Sequence, residues 1–524
     1  MLKPIAVVMC LSVCGAATAE APRSDISWLT ESLTRETVPD TLPRFGSGPV
    51  SDAVVPFPES QIETSDLNRT IYDGIGTVPP DSLSLPDAIW GNVSALRARR
   101  IVQSVALSGP PAMRSFARDL MLTRTEPPPG AGPSNALLLA RIDRLMDAGM
   151  LAEAEALLQR GDAGDPDLFR RLFDIGLLTG RADQVCERLR TSPTLSPSLK
   201  ARVFCLARTG DWEAAALTLR LGQDLGSLSD RDVELLERFL DPQLFEGQPF
   251  EDLRGQLTTL DFFLIEAAGA SVPAARLPLA FNHLDIAESE PLRARTLALE
   301  KLVRGQAVGP EALFAAFRAA KPAASGGVWD HMAAVQDLDR AFAIGAPEGV
   351  GPALVTADRI FADLGLRFAL AQEYARQLAA LDPASLPDNR SRRRAGHLLI
   401  LAGEGAAARS FLDLNPDGYD DLLMALAERA ETLPDCVSPS PLKVAIMNGF
   451  SDLPTEDETA RRLLDRIAAG NLAPALFEIE RLLAPGAEVD PGDLEAALRG
   501  LRAAGQDDLA RRVALETILL LPEA

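Results

Sequence analysis

The amino-acid sequence predicts an all-α protein, an α-solenoid of stacked antiparallel helical hairpins preceded by an irregular, proline-rich N-terminal segment. Three observations carry this. From Pro86 onward, alanine- and leucine-rich runs carry arginine and glutamate on their alternate faces and are punctuated by short Gly, Pro and Asp stretches. A glycine-marked phrase recurs between those runs. Sustained alternating β-branched runs, which a sizeable sheet would need, do not occur.

The chain opens on Lys3, an apolar run from Ile5 to Val13, and Ala17-Thr18-Ala19 before Glu20. That order of charge, apolar run and A-x-A site reads as a secretory signal over residues 1–19. Cys10 and Cys14 hint at a lipoprotein, but Val13 stands where a small residue should precede Cys14. The run is shorter than the roughly 20 residues a membrane span needs, so no membrane insertion is expected. Five lysines against 47 arginines suit a GC-rich genome. Together these features predict a bacterial protein exported to the periplasm.

Residues 20–86 hold nine of the 39 prolines, from Pro22 to Pro86. Each proline removes an amide donor and disfavours helix at the residue before it, so the segment should be extended or irregular. Its apolar islands, Ala53-Val54-Val55 and Thr70-Ile71-Tyr72, either dock along a groove or belong to a flexible spacer. The rest divides into a repeat-bearing half over 87–244, an irregular helical connection over 245–347 and a second repeat-bearing half over 348–524. One expected helix is Ala136 to Met146, whose Leu138, Ile142, Leu145 and Met146 share a face.

The repeated phrase reads Ala148-Gly149-Met-Leu-Ala-Glu-Ala154, Thr179-Gly180-Arg-Ala-Asp-Gln-Val185 and Thr209-Gly210-Asp-Trp-Glu-Ala-Ala215, with weaker copies at Gly403, Gly470 and Gly505. Successive glycines fall 31, 30 and 35 residues apart within the groups 149–180–210 and 470–505. Five residues after each glycine stands alanine, except for Val185. Glycine lets a helix end without a Cβ penalty, and a small residue one turn into the next helix lets the two backbones approach. In period and turn the phrase resembles tetratricopeptide-type repeats, Gly210-Asp-Trp-Glu-Ala-Ala215 most closely, although the family's regular first-helix aromatic and closing proline are mostly missing. The resemblance implies hairpins stacked into a superhelix whose concave face binds other proteins. The same turns would also suit a helical bundle.

Candidate chemistry is sparse. Cys186 and Cys205 fall in neighbouring helices of consecutive hairpins and form either a disulfide or two buried thiols; Cys436 is left over. Asp413-Leu-Asn415-Pro-Asp417-Gly418-Tyr419-Asp420-Asp421 has the opening of a calcium loop, but Met424 replaces the closing glutamate, and the stretch reads better as a turn and helix cap. Arg392-Arg393-Arg394 and the cluster Arg97, Arg99, Arg100 either receive an acidic partner or pair with nearby carboxylates. His283, His331 and His397 have no second ligand at helical spacing, and Trp212 and Trp329 read as packing anchors. The apolar last helix, Arg511 to Leu521, should cap the array or meet a partner.

A net charge of −22 gives no electrostatic reason to bind nucleic acid. The phosphate loop, the His-Glu-x-x-His zinc motif and the Gly-x-Ser-x-Gly elbow do not occur in the sequence. The expectation is a non-enzymatic periplasmic scaffold, chaperone or adaptor that uses no cofactor and binds other proteins of a secretion, wall-synthesis or flagellar-motor assembly. The architecture also resembles the superhelical domain of soluble lytic transglycosylases, without that family's catalytic motif, which makes a cell-wall enzyme the second reading. A ligand-binding protein is the third.

Overall fold

The computed structural model describes residues 70–521 except 249, 251–256, 274–275, 345–346, 387, 414–418 and 435–439. Its described residues form α-helices with short 3-10 turns, and the single isolated β-bridge among them joins Val78 to Thr123. Helices pack against their neighbours in sequence as hairpins, the arrangement expected of an all-α solenoid. The helix expected from Ala136 to Met146 is present as Ala136–Asp147, with Leu138, Ile142, Leu145 and Met146 all buried.

The six phrase glycines, Gly149, Gly180, Gly210, Gly403, Gly470 and Gly505, all adopt positive φ, between 71° and 87°. At Gly180 the reason is explicit. Gly180 N donates to Leu177 O at 3.2 Å and Arg181 N donates to Gly176 O at 2.7 Å, so two carbonyls at the helix end are satisfied by one left-handed residue. The residues five positions on, Ala154, Val185, Ala215, Ala408, Ala475 and Ala510, are all buried.

The same turn occurs where the phrase is missing. Gly365 makes it with φ 67°, followed by Leu366 N donating to Phe361 O at 2.8 Å. Gln306 and Arg429 make it with φ of 56° and 59°, in the left-handed region that side chains rarely adopt. The same turn therefore also occurs within the 245–347 connection, with glycine at Gly269 and without it at Gln306.

Residues 70–79 lie against the first helices. Asp73 accepts from Leu137 N and Leu138 N, both at 2.9 Å, so it caps the Ala136–Asp147 helix from 64 residues upstream. The buried Arg141 guanidinium donates to Ile75 O at 2.8 Å and Thr123 O at 2.9 Å. Tyr72 is partly buried, and the island's Ile71 is exposed.

Two cores result. One runs from Leu85 to Leu519 and the other from Phe169 to Val272, with Leu172, Phe262 and Leu277 packed against both. The first is continuous because the two ends of the solenoid meet. The C-terminal helices Leu472–Leu483 and Asp507–Leu519 pack on the early helix Pro111–Leu122. Ala473 N donates to Ile89 O at 2.9 Å, Trp90 stacks at a tilt on Phe477 with centroids 6.2 Å apart, and Gln506 Nε2 donates to Leu83 O at 2.8 Å. Gly109 marks the closest approach, since a Cβ there would stand 2.3 Å from Leu483 O. The last helix thus meets the first part of the same chain.

Candidate functional site

Where the solenoid closes, six separated segments surround a cavity of about 860 Å³. Arg114, Ser115 and Arg118 reach it from Pro111–Leu122, Glu153 from Leu151–Leu158, and Gln306 from the turn after Leu292–Arg304. Arg359 and Arg367 come from either side of the Gly365 turn, Arg394 from Asn389–Ala402, and Leu520 and Leu521 from the chain's last described residues. Helical period explains the first pair: Arg114 and Arg118 stand four residues apart, on one face of the helix.

The charges are unevenly matched. Arg367 donates to both oxygens of the buried Asp358, at 2.6 and 3.1 Å, and Arg394 Nη1 lies 3.0 Å from the same carboxylate. Arg118 pairs with Asp119 at 2.8 Å. Arg114 has no carboxylate within ion-pair distance among the described residues; it donates to the backbone oxygens of Arg304 at 2.5 Å and Gly109 at 2.9 Å. Burial lowers its pKa, against the pull of Glu516 and Glu480. Its Nε, Glu153 Oε2 and Gln306 Oε1 are buried without a hydrogen-bond partner among the described residues.

A second cavity of about 540 Å³ shares Arg367, Arg394 and Leu521 with the first and adds Arg390, Arg393 and Lys443. The Arg392-Arg393-Arg394 triplet is therefore divided. Arg394 faces Asp358, Arg393 lies 3.1 Å from Asp420 and 4.9 Å from the Tyr419 ring centroid, and Arg392 reaches Asp413 at 3.9 Å. His397 hydrogen-bonds Asp420 at 2.9 Å; burial depresses the imidazole pKa despite that partner. Burial raises the Asp420 carboxyl, but the His397 bond and the Arg393 charge prevail and hold it below the usual range.

The remaining sequence candidates lie elsewhere. His283 meets Gly149 O at 2.7 Å, and His331 meets Glu300 at 2.7 Å. The Cys186 and Cys205 sulfurs are 1.98 Å apart, at disulfide distance, linking Ala182–Thr191 to Leu199–Arg208 in the second core. Cys436, residues 414–418 of the calcium-like stretch and residues 1–19 lie outside the described residues. Trp329 packs on the main core, while Trp212 is half exposed and tilted 6.5 Å from Phe239.

Trp212 begins the helix Trp212–Asp224, which shows an apolar ridge. Ala215, Leu219 and Gly222 are buried, and on the opposite face Leu217, Leu221 and, just past the helix end, Leu225 are 63%, 52% and 76% exposed. At intervals of four residues they form one continuous stripe. Neither the ridge nor the cavity was signalled by a motif. Among the described residues, no helix is long and apolar enough to cross a membrane. The chain matches no protein-family model, no curated protein and no solved structure.

Proposed function

We propose that this chain is an exported, periplasmic helical-repeat scaffold that docks partner proteins of a cell-envelope assembly. The observation that carries the reading is the leucine ridge Leu217, Leu221 and Leu225, a helix face that turns away from its own core and remains apolar. Monomeric surfaces scatter single leucines, whereas a contiguous stripe is the usual form of a helix-in-groove contact. The arginine-lined cavity lies where the two ends of the solenoid meet, and the exposed ridge is the proposed docking face in place of the expected concave one. Export rests on the signal-like pattern of residues 1–19 and is compatible with a cysteine pair at disulfide distance.

A photo-crosslinker at Leu221 tests this in the periplasm. One envelope protein should crosslink there reproducibly, and Leu217→Glu should abolish the product while leaving the melting temperature within about 2 °C, since exposed substitutions usually change stability little. A crosslink unaffected by Leu217→Glu, or no crosslink at all, sinks the docking role. The arginine-lined cavity favours a second role, ligand binding.

A further inference from the structure

We propose that the cavity between Pro111–Leu122, the Gln306 turn and the Gly365 turn binds a small organic anion that also donates hydrogen bonds, either a hydroxy- or amino-carboxylate or the phosphate ester of a polyol. Binding there is independent of docking at the leucine ridge.

Charge comes first. Six arginines line the cavity, Arg114, Arg118, Arg304, Arg359, Arg367 and Arg394, against the carboxylates of Glu153 and Asp363. Two of the six share the single Asp358 carboxylate. Arg114 is partly buried and forms no ion pair with a carboxylate among the described residues, and its guanidinium still has an undonated Nε–H. A partly desolvated guanidinium whose counter-charges, Glu480 and Glu516, stand beyond ion-pair distance is costly, and a carboxylate or phosphate oxygen is the group its planar fork fits. In a chain of net charge −22, this concentration of arginine against the general composition needs a local cause.

The second feature is a pair of unused acceptors. Glu153 Oε2 and Gln306 Oε1 on the same walls have no donor among the described residues. Buried acceptors are normally satisfied, so a small rotation of either side chain toward the cavity would let a ligand hydroxyl or ammonium group complete it. Gln306 also holds φ at 56°, in a turn that the six phrase positions make with glycine. A side chain kept in that strained conformation, with its amide on a cavity wall, is the pattern of a functional position. Its Nε2 donates to Ser115 Oγ at 3.3 Å, which aims the amide across the site. Val303, Pro310, Leu366 and Leu520 supply apolar wall for a short carbon skeleton, and the volume of about 860 Å³ lies in the range of small-molecule sites.

Calorimetric titration of the full chain tests the proposal with citrate, tricarballylate, glycerol 3-phosphate and glycerol. One-to-one binding of citrate identifies a carboxylate ligand, and one-to-one binding of glycerol 3-phosphate identifies a phosphate ester. Tricarballylate, which is citrate without its hydroxyl, and glycerol, which lacks the anion, should each bind at least about tenfold more weakly than the corresponding probe. Arg114→Gln should weaken binding by about tenfold or more. Gln306→Gly keeps the turn's φ and should weaken binding without lowering the melting temperature, and Arg359→Glu should do the same from the exposed rim. Those two variants decide the matter even if Arg114→Gln does not fold. No binding of either anion at millimolar concentration overturns the proposal, as does binding that survives both Gln306→Gly and Arg359→Glu unchanged.

Discussion

Val185 is the one departure from alanine in the repeated phrase, and its cause lies across the hairpin. Gly176, in the preceding helix, faces it, and a Cβ at Gly176 would stand 2.5 Å from Val185 Cγ1. The valine's extra volume is accommodated by a missing one, so the hairpin keeps the close approach that alanine gives elsewhere. Gly176→Ala should therefore destabilise by about 1–3 kcal/mol through overpacking, and Val185→Ala in the same chain should restore most of the loss. Chemical denaturation of the two single variants and the double variant checks this; additive losses would show that the two positions do not share a contact. Residue-scale legibility follows the same chemistry. The six phrase glycines could be read because left-handed backbone favours glycine, whereas Gln306 and Arg429 adopt it with ordinary side chains and leave no mark in the sequence. Asp73 was equally hidden, because the amides it caps lie 64 and 65 residues away.

At the scale of elements, the pair Cys186 and Cys205 fastens the second helix of one hairpin to the first helix of the next. The contact follows from repeat stacking: consecutive hairpins must lie side by side to bury their stripes, which brings residues 19 apart to a Cα separation of 4.9 Å. Closing a loop of that length should contribute about 3 kcal/mol in the chain-entropy model. Cys186→Ala should lower stability by about that amount and make the melt insensitive to reductant. A melt that still shifts with reductant in that variant would assign the effect to another thiol. The neighbouring leucine ridge was only half legible. Helical period places Leu217, Leu221 and Leu225 on one face, but a stripe of that kind reads as core until the packing shows Ala215, Leu219 and Gly222 taking the buried side. The divided fate of Arg392, Arg393 and Arg394 has the same origin, since adjacent helical residues point about 100° apart.

At the scale of the whole molecule, the joining of the two ends makes one core of the main body, and its polar seam is made by two carboxylates from the C-terminal helices. Glu480 accepts from Ala106 N at 3.3 Å and Ser108 N at 3.2 Å, and Glu516 accepts from Ala112 N at 2.7 Å. Sequence patterning could not show this, because the partners stand 372 to 404 residues apart and a glutamate on a helix reads as solvated. Burial raises both acids. For Glu516 it outweighs the Ala112 amide and the charges of Arg512 and Arg114, and the carboxyl is pushed up to about 7 from 4.5. Between those values the folded chain holds a proton that the unfolded chain releases. This group's contribution is therefore most favourable below pH 4.5 and is lost as pH rises through about 7, a change on the order of 3 kcal/mol. Asp147, also raised to about 7, and Asp174, raised to about 6, act in the same direction, so wild-type stability alone does not isolate the seam. Glu516→Gln does, because the amide oxygen can still accept from Ala112 N and no charge develops. Urea unfolding at pH 5.5 and pH 8 should show wild type losing more stability across that interval than Glu516→Gln, with the variant the more stable of the two at pH 8. Equal slopes for the two chains would mean that Glu516 does not titrate in the seam, and the closure would then owe nothing to pH.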